Sequence, residues 1–155
     1  MTPRTTATAL QEGTIVVQEP STAVDLTWLL QDLVDRVTDV RHAVVLSADG
    51  LCVASSNAIQ RDDADRISAV ASGLQSLARG VSKHFQIGNL RQTALEFDDG
   101  HVFVIAAGHG TCLAVISGPE TDMGIVAYEM EMLVQRASEH LATRPRAHSG
   151  QINGG

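Results

Sequence analysis

Aromatic side chains are scarce in this chain: one Trp, one Tyr and three Phe make up 3% of 155 residues. Aliphatic side chains must therefore fill the core, and a base-stacking nucleic-acid surface, which needs exposed rings, is excluded. A surplus of cations is missing too. The net charge is -7, and between Asp25 and Leu141 there are 16 acidic residues against 8 Lys and Arg, a local net of -8. Such a body repels phosphate backbones and anionic lipid, so neither nucleic acid nor a membrane is an expected direct partner. No apolar run reaches the length of a membrane span or of a signal-peptide core. Cysteine is limited to Cys52 and Cys112, each inside an apolar, strand-like run and without CxxC spacing. Two buried thiols in a reduced, cytoplasmic protein are expected, with any membrane association reached through partners.

Catalytic patterns are absent as well. A phosphate-cradling GxxxxGK[ST] loop needs a Gly-Lys pair, and none occurs. Gly108-x-Gly110 begins like a dinucleotide fingerprint, but Leu113 stands where the third glycine belongs and strand-like runs flank it on both sides, so it reads as a turn. Among the six histidines, His42, His101 and His109 sit at strand ends, and none has the i, i+4 partner of a metal site. Cys52 lies between Leu51 and Val53, a setting that raises a thiol pKa and blunts nucleophilicity. Asp62, Asp63 and Asp65 read as a helix start, and Asp98-Asp99 as a turn. The expectation is a non-enzyme with no cofactor and no metal.

The residues that are present outline one domain. Residues 1–22 and 143–155 lack sustained periodicity and read as disordered tails, leaving a domain at 23–142. Within it, Asp25 can cap a first helix whose apolar side is Leu26, Leu29, Leu30, Leu33, Val34 and Val37. Two strands, His42–Leu46 and Leu51–Ser55, flank an Asp49-Gly50 turn. A second helix follows to Lys83, with Ile67, Val70, Ala71, Leu74, Leu77, Ala78 and Val81 expected inward. Three strands (Arg91–Phe97, His101–Ala107, Cys112–Ser117) form a meander that Gly118-Pro119 stops. The last helix spans about Met123–Leu141, with Ile125, Tyr128, Met132, Leu133, Ala137 and Leu141 expected inward. The order α-β-β-α-β-β-β-α describes an α/β domain. The first, fourth and fifth strands are apolar on both faces and must be covered on both. The second and third suit edges. A single five-stranded antiparallel sheet of order 2-1-5-4-3, with helices on both faces, satisfies all of this.

The second helix carries another pattern. At about 100° per residue, Ala69, Gly73, Ser76 and Gly80 form a stripe beside the aliphatic one, with Ser72 at its border. Two mid-helix glycines cost about 1 kcal/mol each relative to alanine, and a stripe of small residues admits another backbone, most simply the same helix of a second chain. Ser68, Gln75, Arg79 and Lys83 are expected to project away from both stripes, toward a partner protein.

The segments DLTWLLQDLVDRVTDVRHAVVLSADGLCVASS, DRISAVASGLQSLARG, CLAVI and GIVAYEMEMLV resemble the Roadblock/dynein light chain family, a branch of the longin and profilin-like folds, over about residues 25–141. They are similar to its bacterial form encoded beside a sensor-kinase-like protein and a Ras-like GTPase in conservon clusters. The resemblance implies a homodimer that pairs the second helix and third strand, with Ala69, Ser72, Gly73, Ser76, Gly80, Thr93 and Leu95 at the dyad. It implies as partners a Ras-like small GTPase and a sensor-kinase-like protein. Two other readings fit the same residues: a small-molecule sensor with a pocket between sheet and helix, and a purely structural dimerisation scaffold.

Overall fold

The computed structural model describes residues 20–143 apart from residue 109, with side chains from 26 to 139. The expected tails therefore lie outside the described residues, except where helix reaches into them. Helix α1 spans Pro20–Arg36 and so begins five residues before Asp25, which is inside the helix and not its cap. Proline suits a first turn, where its fixed φ is helical and its missing N–H has no intrahelical partner to lose. The remaining elements are β1 (Val40–Ser47), β2 (Cys52–Ser55), α2 (Arg61–Phe85), β3 (Thr93–Phe97), β4 (Gly100–Ala106), β5 (Thr111–Ser117) and α3 (Met123–Thr143).

The five strands form one sheet of order β2-β1-β5-β4-β3, all neighbours antiparallel, as strand chemistry implied. Its inner strands are buried on both faces. Against one face, Leu26, Leu29, Leu30, Leu33 and Val37 of α1 and Val126, Met130, Leu133 and Ala137 of α3 meet Ala43, Val45, Phe103, Ile105, Leu113 and Val115. Against the other, Ala71 of α2 meets Leu46, Val104, Cys112 and Ala114, with Ile67 and Val102 at the margin. The first core is much the larger.

A knot of polar contacts closes the α1–β1 corner. Asp39 has φ 64°, its carbonyl accepts from Gly118 N at 2.8 Å, and its carboxylate accepts from Glu120 N at 2.8 Å. Arg41 lies 3.3 Å from the same carboxylate. A Cβ on Gly118 would strike both the Asp39 carboxylate and the Arg41 guanidinium. Gly118 thus does more than stop β5: it lets the start of β1 lie against the lead-in to α3.

The α3 stripe differs from expectation. Leu133 and Ala137 are buried as expected, but Ile125 and Tyr128 are exposed and Val126 and Met130 take the inward positions. Leu141 lies outside the described side chains. Two neighbouring stripes are available on this helix, and the one that is buried brings Glu129 and Arg136 beside α1. Arg36 bonds both Asp32 (2.8 Å) and Glu129 (2.9 Å), and Arg136 lies 3.5 Å from Asp32. Turning Glu129 and Arg136 toward α1 leaves Tyr128 facing water.

Met130→Ala should cost about 2–5 kcal/mol of stability, as truncation of a buried aliphatic side chain does. Tyr128→Ala should cost about 0.5 kcal/mol or less, as surface substitutions do. Urea midpoints of the two variants measure the difference, and comparable losses would mean that the α3 face is assigned wrongly.

Candidate functional site

The start of α2 is stabilised electrostatically. Gln60 at its N-cap makes no side-chain capping bond, while Asp62 and Asp63 sit in the first turn beside the positive end of the helix dipole. At its other end Gln86 is left-handed (φ 55°), and its N–H closes on the Ser82 carbonyl.

The side that α2 lays on the sheet consists of two alanines and two polar residues: Ala64, Ser68, Ala71 and Gln75. Two sequence expectations are corrected by this. Ser68 and Gln75, read as projecting toward a partner, are 0% and 2% exposed. The Ser68 hydroxyl donates to the Ala64 carbonyl (2.7 Å), and Gln75 Oε1 accepts from the Thr93 hydroxyl (2.8 Å), so both serve the chain's own fold. The aliphatic stripe, read as inward, is turned out. Val70 is 47% exposed, Leu77 73% and Val81 52%, while Ile67, Leu74 and Ala78 are half-buried and only Ala71 is fully buried. About 100° of helix rotation separates the buried stripe from the aliphatic one.

The small residues fall on the outer surface beside that aliphatic flank. Ala69, Gly73, Ser76 and Gly80 are all exposed, and a Cβ on Gly73 or Gly80 would find no atom within 4 Å. Nothing within the described protomer therefore requires glycine there. Ser72 is set apart from this group: it is half-buried and its hydroxyl donates to the Ala48 carbonyl (2.7 Å) at the β1–β2 turn. Gly50 in that turn has φ 87° and lies against Ala69 and Ser72. Arg79 and Lys83 are exposed and in no ion pair among the described residues.

At the far edge of the sheet, Thr93, Leu95 and Phe97 alternate along β3 on the α2 side; Thr93 and Leu95 are half-buried and Phe97 is 58% exposed. Strand β3 pairs with β4 alone, so its outer edge has no strand partner among the described residues. Phe85 and Ile87, where α2 ends, are also exposed. Two clefts flank α2. One of about 140 Å³ is lined by Ser72, Gln75, Arg79, Gly108, Gly110 and Cys112, the other of about 330 Å³ by His42, Ile59, Ile67, Val70 and Ile116.

The candidate reactive groups are dispersed. Cys52 is half-buried and Cys112 buried, and loss of water pushes both thiols above their ordinary pKa. His101 stands at the start of β4, a strand end as expected, and is 8% exposed. Its ring stacks on Phe103 (5.7 Å, 24°), with Nε2 4.0 Å from Glu96. His101 alternates with Val102 and so lies on the α1–α3 face, whereas His42 lines the α2-side cleft. His109 lies outside the described residues. Among the described residues no three His, Cys, Asp or Glu side chains converge on a metal position, and no helix is long and apolar enough to cross a membrane.

Residues 26–117 match the Roadblock/LC7 domain family. A Roadblock/LC7 domain from Streptomyces avermitilis is 43% identical, covers 76% of this chain and 98% of its own, and superposes with a TM-score of 0.71. An uncharacterized protein of Methanocaldococcus jannaschii is 28% identical over 110 residues, covering 66% of this chain and 92% of the relative. Myxococcus xanthus MglB has the same fold at 14% identity, covering 83% of this chain and 95% of its own, with a TM-score of 0.72.

Gln75→Ala should cost about 1–3 kcal/mol, because it opens a buried site and leaves Thr93 without its acceptor. Arg79→Ala should cost about 0.5 kcal/mol or less. Thermal melts compare them, and a neutral Gln75→Ala would return that residue to the surface. With a thiol reagent at neutral pH, Cys112 should stay unreacted in the native protein and react only on unfolding, Cys52 being the faster of the two. Rapid native labelling of both would contradict their burial.

Proposed function

This chain belongs to the Roadblock/LC7 domain family, and from that premise we propose that it is a non-catalytic homodimeric adaptor for a Ras-like small GTPase in bacterial signalling. In this reading two copies pair through α2 and β3, and the paired α2 surface receives the GTPase. The observation that carries the dimer is the aliphatic flank of α2. Val70, Leu77 and Val81 stand in water although each would gain about 1.5–3 kcal/mol from full burial. They lie on a helix whose outer side also bears Ala69, Gly73, Ser76 and Gly80, and beside a sheet whose β3 edge is unpaired. A two-fold axis near α2 brings each flank against its own copy, which is the self-complementary arrangement a symmetric dimer needs. Thr93 and Leu95 then follow the same axis along β3.

The GTPase belongs to what the family resemblance implies. The surface is compatible with it, since Arg79 and Lys83 are exposed on α2 and α2 carries four cations against three carboxylates in a chain of net charge -7. Such a local inversion of sign sets orientation and encounter rate more than affinity. A single GTPase straddling the axis would cover both half-sites, giving one partner per dimer. A sensor-kinase-like protein is the further partner this reading includes.

Sedimentation at tens of micromolar should show a dimer for the native chain and a folded monomer for Gly73→Trp, whose Cβ would meet no atom within 4 Å in its own protomer. A native monomer at that concentration would sink the dimer. Arg79→Glu with Lys83→Glu should weaken binding of the cognate GTPase while dimerisation and melting temperature stay nearly unchanged. Binding that is equally tight to the GTP- and GDP-loaded forms would mark a scaffold instead of a regulator.

A further inference from the structure

We propose that the outer face of the α1–α3 layer, across the sheet from α2, is a second docking surface, and that it takes a cationic amphipathic helix of another protein. In a chain with so few rings, the one Trp and the one Tyr are both spent on this layer's surface: Trp28 is 67% exposed on α1 and Tyr128 62% on α3, with Ile125 beside it at 52%. Trp and Tyr are the side chains most often found to anchor interfaces.

Charge identifies the occupant. Leu26–Arg36 and Met123–Glu139 carry five carboxylates, Asp32, Asp35, Glu129, Glu131 and Glu139, against Arg36 and Arg136 alone. Both arginines are engaged within the layer, by Asp32 and Glu129 for Arg36 and by Asp32 for Arg136. The Arg36 guanidinium bonded to Asp32 holds that carboxyl below its ordinary range, so it remains charged. Asp35, Glu131 and Glu139 have no ion-pair partner among the described residues. The layer is therefore net -3 with its cations internally neutralised, whereas α2 on the opposite side is net +1.

Geometry sets the length. The ion pairs run α1 and α3 antiparallel, with Arg36 beside Glu129 and Asp32 beside Arg136. Trp28 is one turn beyond Asp32, so the two pairings put it about 13–18 Å along the layer from Tyr128 at 1.5 Å per residue. Half-buried Met132 lies between them along α3. Two anchors at that separation match apolar residues about three turns apart on one side of a helix, with flanking Lys or Arg facing the free carboxylates. Anionic lipid is repelled by the same charges.

The only tryptophan is its own reporter. A synthetic Leu/Lys amphipathic helix of about 18 residues should bind the full chain saturably, shifting Trp28 emission to the blue and shielding it from acrylamide. Affinity should fall about tenfold or more in Tyr128→Ala/Glu131→Lys/Glu139→Lys and in Asp35→Lys alone, all exposed positions that keep Trp28. Asp98→Lys, a matched charge change on the distant β3–β4 turn, should leave it unchanged. Undiminished binding by the face variants, equal binding of a Leu/Glu helix, or a Trp28 shift only with phosphatidylglycerol vesicles would each overturn the proposal. So would a red-shifted Trp28 in a chain ending at Thr143 relative to the full chain, which would make the protein's own residues 144–155 the occupant.

Discussion

The contact on which the outer surface of this protein depends is the seat of α2 on the sheet. Ala64, Ser68, Ala71 and Gln75 form the buried stripe, and Ala71 is fully enclosed by Leu46, Val104, Cys112 and Ala114. Because that stripe occupies the side of the helix that faces the sheet, most of the aliphatic residues lie off it. Val70, Leu77 and Val81 are displaced outward by helical geometry alone. The polar members are bonded locally, Ser68 to Ala64 and Gln75 to Thr93, so their burial incurs no unsatisfied-group penalty. A protomer built this way buries less apolar surface on its α2 side than its sequence contains.

The two faces of the sheet consequently have different work. Leucines from α1 and aliphatic residues from α3 make the large core, and that layer is further tied by Arg36 bridging Asp32 and Glu129. Exposed ion pairs of this kind are worth little as stabilisers, up to about 1 kcal/mol. Their consequence here is geometric: with Val126 and Met130 inward, they fix Glu129 and Arg136 beside α1. The Asp39–Gly118 corner plays a similar part for the backbone, joining β1, β5 and the approach to α3 through three short-range contacts. Stability therefore resides mainly on the α1–α3 side, and the α2 side is left free to present an apolar flank and a cationic patch.

Membership of the Roadblock/LC7 family and the absence of a convergent reactive cluster among the described residues fit this division. Of the titratable groups that drew attention in the sequence, the sheet sets His101 apart, while His42, Cys52 and Cys112 share the α2 side. His42 lies on the α2 side, His101 on the α1–α3 side, and Cys52 and Cys112 have their thiols pushed up by burial.

Local sequence was sufficient for element order, strand order and the α1 core. Alternation along β3, two-sided apolarity in β1, β4 and β5, and glycine at the Asp49-Gly50 turn are properties of a few consecutive residues, and they leave one sheet order. Family membership was legible for the same reason, as running text. The outward position of the small residues Ala69, Gly73, Ser76 and Gly80 was legible too. What local sequence left open was rotation about a helix axis. On α2 the aliphatic stripe was the natural inward choice, and on α3 the stripes at Ile125/Tyr128 and Val126/Met130 differ by one residue. Periodicity states that an apolar side exists; it does not state which partner covers it, the protomer's own sheet or another molecule. Only the tertiary structure decided that: under α2 the sheet receives Ala64, Ser68, Ala71 and Gln75, with Gln75 closing on Thr93, and beside α3 Arg36 reaches Glu129.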